Sequence, residues 1–275
     1  MKREFLGAAL PLDQAGLAAV LQMLETGAAE MWSVLTVETA GCGFDAFGRP
    51  RILFERHKFS AATQGRYDQD YPDISNPLPG GYGDMDAQYG RLERAIALER
   101  CAALNSTSWG IGQIMGFNAT SAGYSDAEAM VAAMMDSESN QLLAIARFLK
   151  NSKLDVPLRQ RDWATFAAGY NGPAYEKNQY DVRLQTAYSG FSAGRMPDLQ
   201  ARAAQLLLTY LGYQPGPIDG FPGKNTLDAL RTFFTQEQLE VKESIDDTVL
   251  NELKTCIAKK NALEDSSVSN EIAPQ

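Results

Sequence analysis

Apolar residues recur at helical spacing over most of the first 190 positions. A first such stretch runs from Asp13 to about Glu25, and the Asp13 carboxylate can cap its start. A second stretch follows Gly27 and ends at Glu38. The same spacing returns in three later segments, at 89–104, 142–149 and 163–170. The pattern predicts a mainly α unit.

Two segments depart from this pattern. Residues 51–54 (RILF) have the composition of a short strand, and residues 60–90 are rich in Gly, Pro, Asp and Tyr. The second segment is predicted to be a long ordered loop. Such a loop inside a compact domain usually has a function.

The helical pattern stops near residue 190 and starts again at Asp198. Residues 189–197 (SGFSAGRMP) have linker composition, and the final residues are polar. We therefore predict a first domain over 1–190, a linker over 191–197, a second domain over 198–260 and a disordered tail over 261–275.

Composition narrows the possible functions. The net charge of −9 argues against a general nucleic-acid binder. Three widely spaced cysteines, Cys42, Cys101 and Cys256, suit a reducing cytoplasm better than a disulfide framework, although Cys42 and Cys101 could still meet in space. His57 is the only histidine, which makes a zinc hydrolase improbable, and no cofactor is expected. No signal peptide, transmembrane span or stable membrane association is predicted.

Glu38 has the most informative position in the chain. It ends an apolar helix and is followed by Gly41 and Gly43, so its carboxyl group is expected to be partly desolvated. Desolvation raises the pKa of a carboxyl group toward the range of a general acid. Without further context, a glutamate at a helix end is more often a solvated surface charge.

Two later segments make the interpretation specific: SWGIGQIMG at 108–116 and FAAGYNG at 166–172. Together with Glu38 they resemble muramidases of the goose-lysozyme and lytic-transglycosylase superfamily, and most of all the phage-type N-acetylmuramidase endolysins. The resemblance implies a lysozyme-like α+β catalytic domain with a small β-hairpin.

The resemblance also implies roles for individual residues. Glu38 is the acid, Ser108 orients it, and Gln113 hydrogen-bonds an N-acetyl or hydroxyl group of the sugar. Tyr170 reaches toward Glu38 through its hydroxyl. Asn171 either binds substrate or serves only as the end of a helix. A packed glycine hairpin without a binding role is the alternative for 108–116.

Residues 49–57 (RPRILFERH) are typical of the same endolysin family. Glu55 and His57 alternate, so on a strand they would point the same way. Glu55 is a candidate second carboxylate, as nucleophile or water-positioning base. The alternative is a structural ion pair between Glu55 and Arg51 or Arg56. His57 is expected to line the substrate groove.

The second domain resembles the three-helix peptidoglycan-binding module. It contains Leu-Gly-Tyr at 211–213, PGPIDG at 215–220, a G-x-x-T helix start at 223–226 and A-L-R-x-F at 229–233. Tyr213, Asp219 and Gly220 are its expected ligand-binding residues. Phe234-Thr235 departs from the usual Phe-Gln of that helix, which puts the ligand contacts in question.

The resemblance implies a muramidase that hydrolyses the β-1,4 bond between N-acetylmuramic acid and N-acetylglucosamine. Three alternatives remain: a lytic transglycosylase cutting the same bond, a cysteine amidase using Cys42 and His57, and a non-catalytic wall-binding protein. The expected partner is peptidoglycan. A monomer is expected, made in the host bacterial cytoplasm and released to the periplasm by a separate holin.

Overall fold

The computed structural model describes residues 4–38, 42–242 and 244–271, except for the side chains of Glu38 and 264–271. The chain divides into two compact units, Met1–Met196 and Pro197–Gln275. Each unit has its own buried core. The described residues include no helix that is long and apolar enough to span a membrane.

The first unit is mainly helical. Aspartates at 13, 126 and 162 cap α1, α5 and α8, each accepting a hydrogen bond from a backbone amide three residues further on. The helices are α1 Gln14–Leu24, α2 Ala28–Glu38, α3 Arg56–Ala62, α4 Gln88–Asn105, α5 Ala127–Asp136, α6 Glu138–Asn151, α7 Asp155–Gln160, α8 Trp163–Asn171 and α9 Tyr180–Ser192.

The central helix of this unit is α6. Its residues Leu142, Ile145 and Leu149 are fully buried, and it packs against α1 and α5. On another side of the unit, α2 packs along α9. The end of α2 at Glu38 is therefore supported by a second helix.

A small antiparallel sheet completes the unit. Its strands are β1 Ile52–Phe54, β2 Thr107–Trp109 and β3 Ile114–Met115, in that order, and β2 and β3 form a hairpin. Since side chains alternate across a strand, Ile52 and Phe54 are buried beneath the sheet. Leu53 and its register partner Ser108 lie on the other face, which we call the outer face. The predicted mainly α, lysozyme-like fold with a small hairpin is confirmed.

The second unit contains three helices, α10 Leu199–Tyr210, α11 Lys224–Gln236 and α12 Asp247–Glu271. Asp198 caps α10 by accepting from the Ala201 amide at 2.8 Å. The helices enclose an apolar core, with Leu206, Leu208, Phe233, Phe234 and Leu253 all fully buried.

Three predicted boundaries differ from the structure. α9 continues to Ser192, inside the segment with linker composition. α3 occupies the first residues of the predicted 60–90 loop. α12 continues to Glu271, where a disordered tail was expected from residue 261, because a polar helix end has no apolar pattern to reveal it. Residues 272–275 lie outside the described residues.

Candidate active site

Backbone hydrogen bonds around Arg51 bring the predicted motifs together. The Arg51 amide donates to the Gly43 carbonyl at 2.8 Å, and the Gly110 amide donates to the Arg51 carbonyl at 2.8 Å. The Tyr170 hydroxyl donates to the Gly112 carbonyl at 2.8 Å. The segment after Glu38, the β2–β3 hairpin and the end of α8 therefore meet beside the start of β1.

Glu38 is the last residue of α2. Val34 and Leu35, one turn earlier, are buried, as the sequence predicts. The negative end of the helix dipole disfavours an ionised carboxyl at this position. Arg183 on α9 donates to the Val37 carbonyl at 3.1 Å, which places a cation at the same helix end. The Glu38 side chain and residues 39–41 lie outside the described part of the chain.

Glu55 and His57 do not alternate on a strand. β1 ends at Phe54, Glu55 is the N-cap residue of α3, and His57 lies in the first turn of that helix. The two side chains still meet, because a helix start curls the chain back on itself. His57 Nδ1 lies 3.1 Å from Glu55 Oε2.

The Glu55 carboxylate is held in a partly buried pocket. Tyr82 donates its hydroxyl to Glu55 Oε1 at 3.3 Å, and burial together with this carboxylate raises the pKa of Tyr82, so the phenol stays a donor. Glu55 Oε2 is buried and, among the described residues, has no well-aligned hydrogen bond. It therefore retains capacity to accept a proton or a water hydrogen.

The expected ion pair of Glu55 with Arg51 or Arg56 is not present among the described residues. Arg51 Nε donates to the Phe44 carbonyl at 3.1 Å, and Arg56 Nε donates to the Leu78 carbonyl at 3.2 Å. Both arginines hold neighbouring loops. The structural alternative for Glu55 thus loses its proposed partners.

Gln113 and Ser108 brace the hairpin from its outer face. Ser108 Oγ donates to Gln113 Oε1 at 2.7 Å. The Gln113 amide nitrogen donates to the carbonyls of Gly110 at 2.9 Å and Arg51 at 3.2 Å. Gln113 also has a left-handed backbone, with φ of 47°, which costs energy for a residue other than glycine.

The described contacts therefore differ from the expected sugar-binding role of Gln113. Both of its amide protons are used within the sheet, and one lone pair of Oε1 accepts from Ser108. These contacts hold the shape of the hairpin, and the expected sugar contact of Gln113 stays a prediction. Ser108 contacts Gln113, and its expected contact with the acid stays a prediction.

Tyr170 connects α8 to the hairpin. Its ring stacks on Phe166 with centroids 5.6 Å apart and meets Phe148 edge-on. Its hydroxyl reaches Gly112, so the expected contact with Glu38 also stays a prediction. Asn171 is the last residue of α8, followed by Gly172 with φ of 87°, which fits the helix-end alternative and leaves substrate binding untested.

The candidate amidase pair has different partners. Cys42 is buried and its thiol donates to the Phe44 carbonyl at 2.9 Å, whereas His57 faces Glu55. Cys42, Cys101 and Cys256 form no disulfide among the described residues. No nucleophile–base hydrogen bond joins Cys42 to His57 in the described residues, and the cysteine amidase interpretation loses its geometric basis.

The first unit matches a family model described as N-acetylmuramidase over residues 27–192. The chain belongs to the N-acetylmuramidase family. It is similar to a solved structure, the crystal structure of Burkholderia AP3 phage endolysin, with 40% identity over 66% of this chain and 71% of that chain, at a TM-score of 0.62. No curated protein matches it.

This muramidase is therefore a glycoside hydrolase that acts on peptidoglycan. The predicted family, enzyme class and substrate are confirmed. Hydrolysis is favoured over the lytic transglycosylase alternative, and a wall-binding protein without activity would leave the match over 27–192 unexplained.

The second unit of the muramidase uses two of its predicted ligand residues to form a turn. The Asp219 and Gly220 amides both donate to Gln205 Oε1, at 3.1 and 2.9 Å. Asp219 Oδ1 accepts from the Phe221 amide at 2.9 Å. Tyr213, which is half-buried, donates its hydroxyl to Gln236 Oε1 at 2.7 Å.

Three residues of the muramidase site were not singled out by sequence reasoning: Tyr82, Glu138 and Gln141. Tyr82 sits in the 60–90 loop, whose composition predicts a function but no partner. Glu138 and Gln141 lie on the same stripe of α6 as Ile145 and Leu149. A polar residue on an apolar stripe indicates a buried hydrogen-bond network, and this signal was available in the sequence.

We expect Gln113→Ala and Tyr170→Phe to lower muramidase turnover by roughly ten- to a thousand-fold, about 1–4 kcal/mol each. Gln113→Ala removes the bonds that fix the hairpin, and Tyr170→Phe removes the link from α8 to Gly112. Turnover of soluble peptidoglycan fragments by folded protein measures both effects.

Tyr67→Phe is the matched control for the tyrosine. Its hydroxyl also donates to a backbone carbonyl, that of Leu98 at 3.3 Å, but outside the site. We expect near wild-type turnover. Full activity in both Gln113→Ala and Tyr170→Phe would show that the groove lies elsewhere.

Proposed function

We propose that this muramidase is a phage-type endolysin that cleaves the β-1,4 bond between N-acetylmuramic acid and N-acetylglucosamine, with Glu38 as general acid. The observation that carries the proposal is the meeting of three segments beside β1: the one after Glu38, the hairpin and the end of α8. The similar phage endolysin supports the biological role.

Glu38 is proposed as the acid because of where α2 ends. A leaving-group acid must keep its proton near neutral pH, and both an apolar helix and a helix C-terminus favour the protonated carboxyl. Val34 and Leu35, one turn earlier in α2, are buried. Arg183 acts in the opposite direction on an ionised Glu38, which would stabilise the carboxylate left after proton transfer.

Glu55 is proposed as the group that positions or deprotonates the attacking water. Tyr82 donates to one carboxylate oxygen, and Oε2, which lies 3.1 Å from His57 Nδ1, retains accepting capacity. In the inverting mechanism proposed here, Glu55 and Glu38 would lie on either side of the bond, with the attacking water held by Glu55.

The proposed groove runs over the outer face of the sheet. His57 and Asn171 remain candidate substrate contacts at its two ends. Ser108, Gln113 and Tyr170 are proposed to act by shaping the hairpin against which the sugar lies. The glycines at 110 and 112 make room for α6 rather than for the saccharide, because a Cβ atom would lie 2.8 Å from Gln141 Cδ and 2.2 Å from Ile145 Cγ1, respectively.

Residues 198–260 are proposed to be a peptidoglycan-binding module. Its support is the compact three-helix unit together with the residues at 211–233 that resemble that module. The net charge of −9 offers no long-range attraction to an anionic envelope, so wall binding would come from local contacts around Tyr213.

The cellular route is proposed from the endolysin role alone. The protein would be made in the host cytoplasm, act as a monomer and reach the periplasmic wall through a holin. Three cysteines that form no disulfide among the described residues suit synthesis in a reducing compartment.

Glu38→Gln is expected to lower turnover by roughly a hundred-fold or more, because glutamine keeps the shape but cannot give up a proton. Folding should be nearly unchanged. Wild-type turnover should fall on the alkaline side as Glu38 ionises. The measurement is the pH dependence of turnover on sacculi for both proteins.

Two further substitutions serve as comparisons for Glu38→Gln. Glu30→Gln removes a carboxylate at the other end of the same helix, 4.0 Å from Arg161, and should leave turnover unchanged. A smaller loss in Glu55→Gln would mark Glu55 as supporting, and an equal loss would mark it as the base. A folded Glu38→Gln protein that still cleaves sacculi at near wild-type rate would refute the assignment.

Removal of residues 197–275 is expected to leave a folded muramidase that is active on soluble wall fragments. Binding to intact sacculi should weaken, because a tethered module raises the local substrate concentration. Co-sedimentation with sacculi measures this binding. If the truncated protein sediments as well as the full chain does, residues 198–260 are not a binding module.

A further inference from the structure

We propose that Glu138 and Gln141, two buried polar residues on α6, are positioning residues for the catalytic acid. Both side chains are fully shielded from solvent. They are one turn apart, so they face the same region. That region contains the segment after Glu38 and the tip of the β2–β3 hairpin.

Gln141 joins three separate backbone segments with one amide group. Its Oε1 accepts from the Ile111 amide at 2.7 Å, at the hairpin tip. Its Nε2 donates to the Met134 carbonyl at 2.9 Å, in α5, and to the Gly43 carbonyl at 3.3 Å. Gly43 lies five residues after Glu38. Both protons and an oxygen lone pair of the side chain are therefore used.

Glu138 contacts the same residue, Gly43, at its backbone amide, whereas Gln141 contacts its carbonyl. Glu138 Oε1 accepts from the Gly43 amide at 2.8 Å, and Glu138 Oε2 accepts from the Leu12 amide at 2.9 Å. Glu138 opens α6, where the positive end of the helix dipole favours a carboxylate. Gly43 thus has its N–H fixed by Glu138 and its carbonyl shared by Gln141 and Arg51.

Two glycines of the predicted motifs are explained by this contact. A Cβ atom on Gly43 would lie 1.8 Å from Gln141 Oε1, and one on Gly110 would lie 2.8 Å from Gln141 Cδ. Any larger residue would push the glutamine away. The glycine after the proposed acid and the first glycine of the hairpin are both needed for the Gln141 side chain to fit.

This arrangement sets the position of the acid relative to the groove wall. The described residues that follow Glu38, Cys42 and Gly43, belong to no helix or strand, and Arg51 supplies a backbone hydrogen bond to the Gly43 carbonyl. Both α6 side chains anchor Gly43, and Gln141 also holds the hairpin through the Ile111 amide. The inference rests on the proposed function, since it takes Glu38 as the acid. Proton transfer is sensitive to small displacements of the acid.

The test is a double-mutant cycle on the full chain with soluble peptidoglycan fragments. Gln141→Leu keeps the size and removes all three hydrogen bonds. We expect kcat to fall by roughly ten- to a hundred-fold, with KM changed by less than about threefold. In the Glu38→Gln background the same change should cost less than about threefold, because no acid remains to be positioned.

Leu149→Ala is the matched control for lost stability. It creates a cavity on the same helix, away from Gly43, and should lower the melting temperature while leaving kcat within about twofold when measured well below melting. Should Gln141→Leu not fold, Glu138→Gln repeats the cycle. This change replaces one carboxylate oxygen by an amide nitrogen, so two hydrogen-bond donors would face each other at Leu12 or Gly43.

An equal loss of kcat from Gln141→Leu in the wild-type and Glu38→Gln backgrounds would overturn the positioning role. So would a wild-type kcat in folded Gln141→Leu, or an equal loss in Leu149→Ala. These outcomes leave the function of Glu38 intact. Near wild-type activity of Glu38→Gln itself would instead reject the proposed function.

Discussion

The buried side-chain amide of Gln141 forms hydrogen bonds to three separate backbone segments of the first unit. A helix or strand supplies its own backbone hydrogen bonds, but Gly43 and Ile111 lie in neither. Their polar groups are buried, so leaving them unpaired would cost about 1–3 kcal/mol each. The α6 side chains remove that cost. Gly43 and Gly110 leave the space that the Gln141 side chain needs to form these hydrogen bonds.

The candidate site combines the braced β2–β3 hairpin with two glutamates, one at the end of a helix and one at the start of another. Glu38 ends an apolar helix in which Val34 and Leu35, one turn earlier, are buried. Glu55 begins a helix, and Tyr82 donates its hydroxyl to the Glu55 carboxylate. In the proposed mechanism, Glu38 is the acid and Glu55 holds the attacking water.

The sequence predicts most of the helices because their apolar spacing and aspartate caps are local signals. Asp13, Asp162 and Asp198 cap the helices at the expected positions. The place of Glu55 and His57 was wrong, because α3 begins directly where β1 ends and no glycine or proline marks the change. Local pattern cannot locate such a transition within one or two residues.

The partners of the site residues were harder to predict than the residues themselves. Gln113 was identified as a groove residue, but its contact with Arg51 spans 62 positions and depends on strand register. Gln141 was missed, although its place on the apolar stripe of α6 was visible, because its partners at 43 and 111 come from distant segments. Sequence spacing predicts which residues share a helix face, but the residues that this face contacts depend on tertiary packing.

The chemical identity of the first cleavage product tests the central claim most directly. The account predicts that water is added across the bond, so the released N-acetylmuramic acid carries a reducing end. With Glu55 holding the attacking water, the first anomer formed should be inverted to α, as seen by NMR during the reaction. A product lighter by one water, with a 1,6-anhydro end, would contradict hydrolysis. A first-formed β anomer would contradict the proposed role of Glu55.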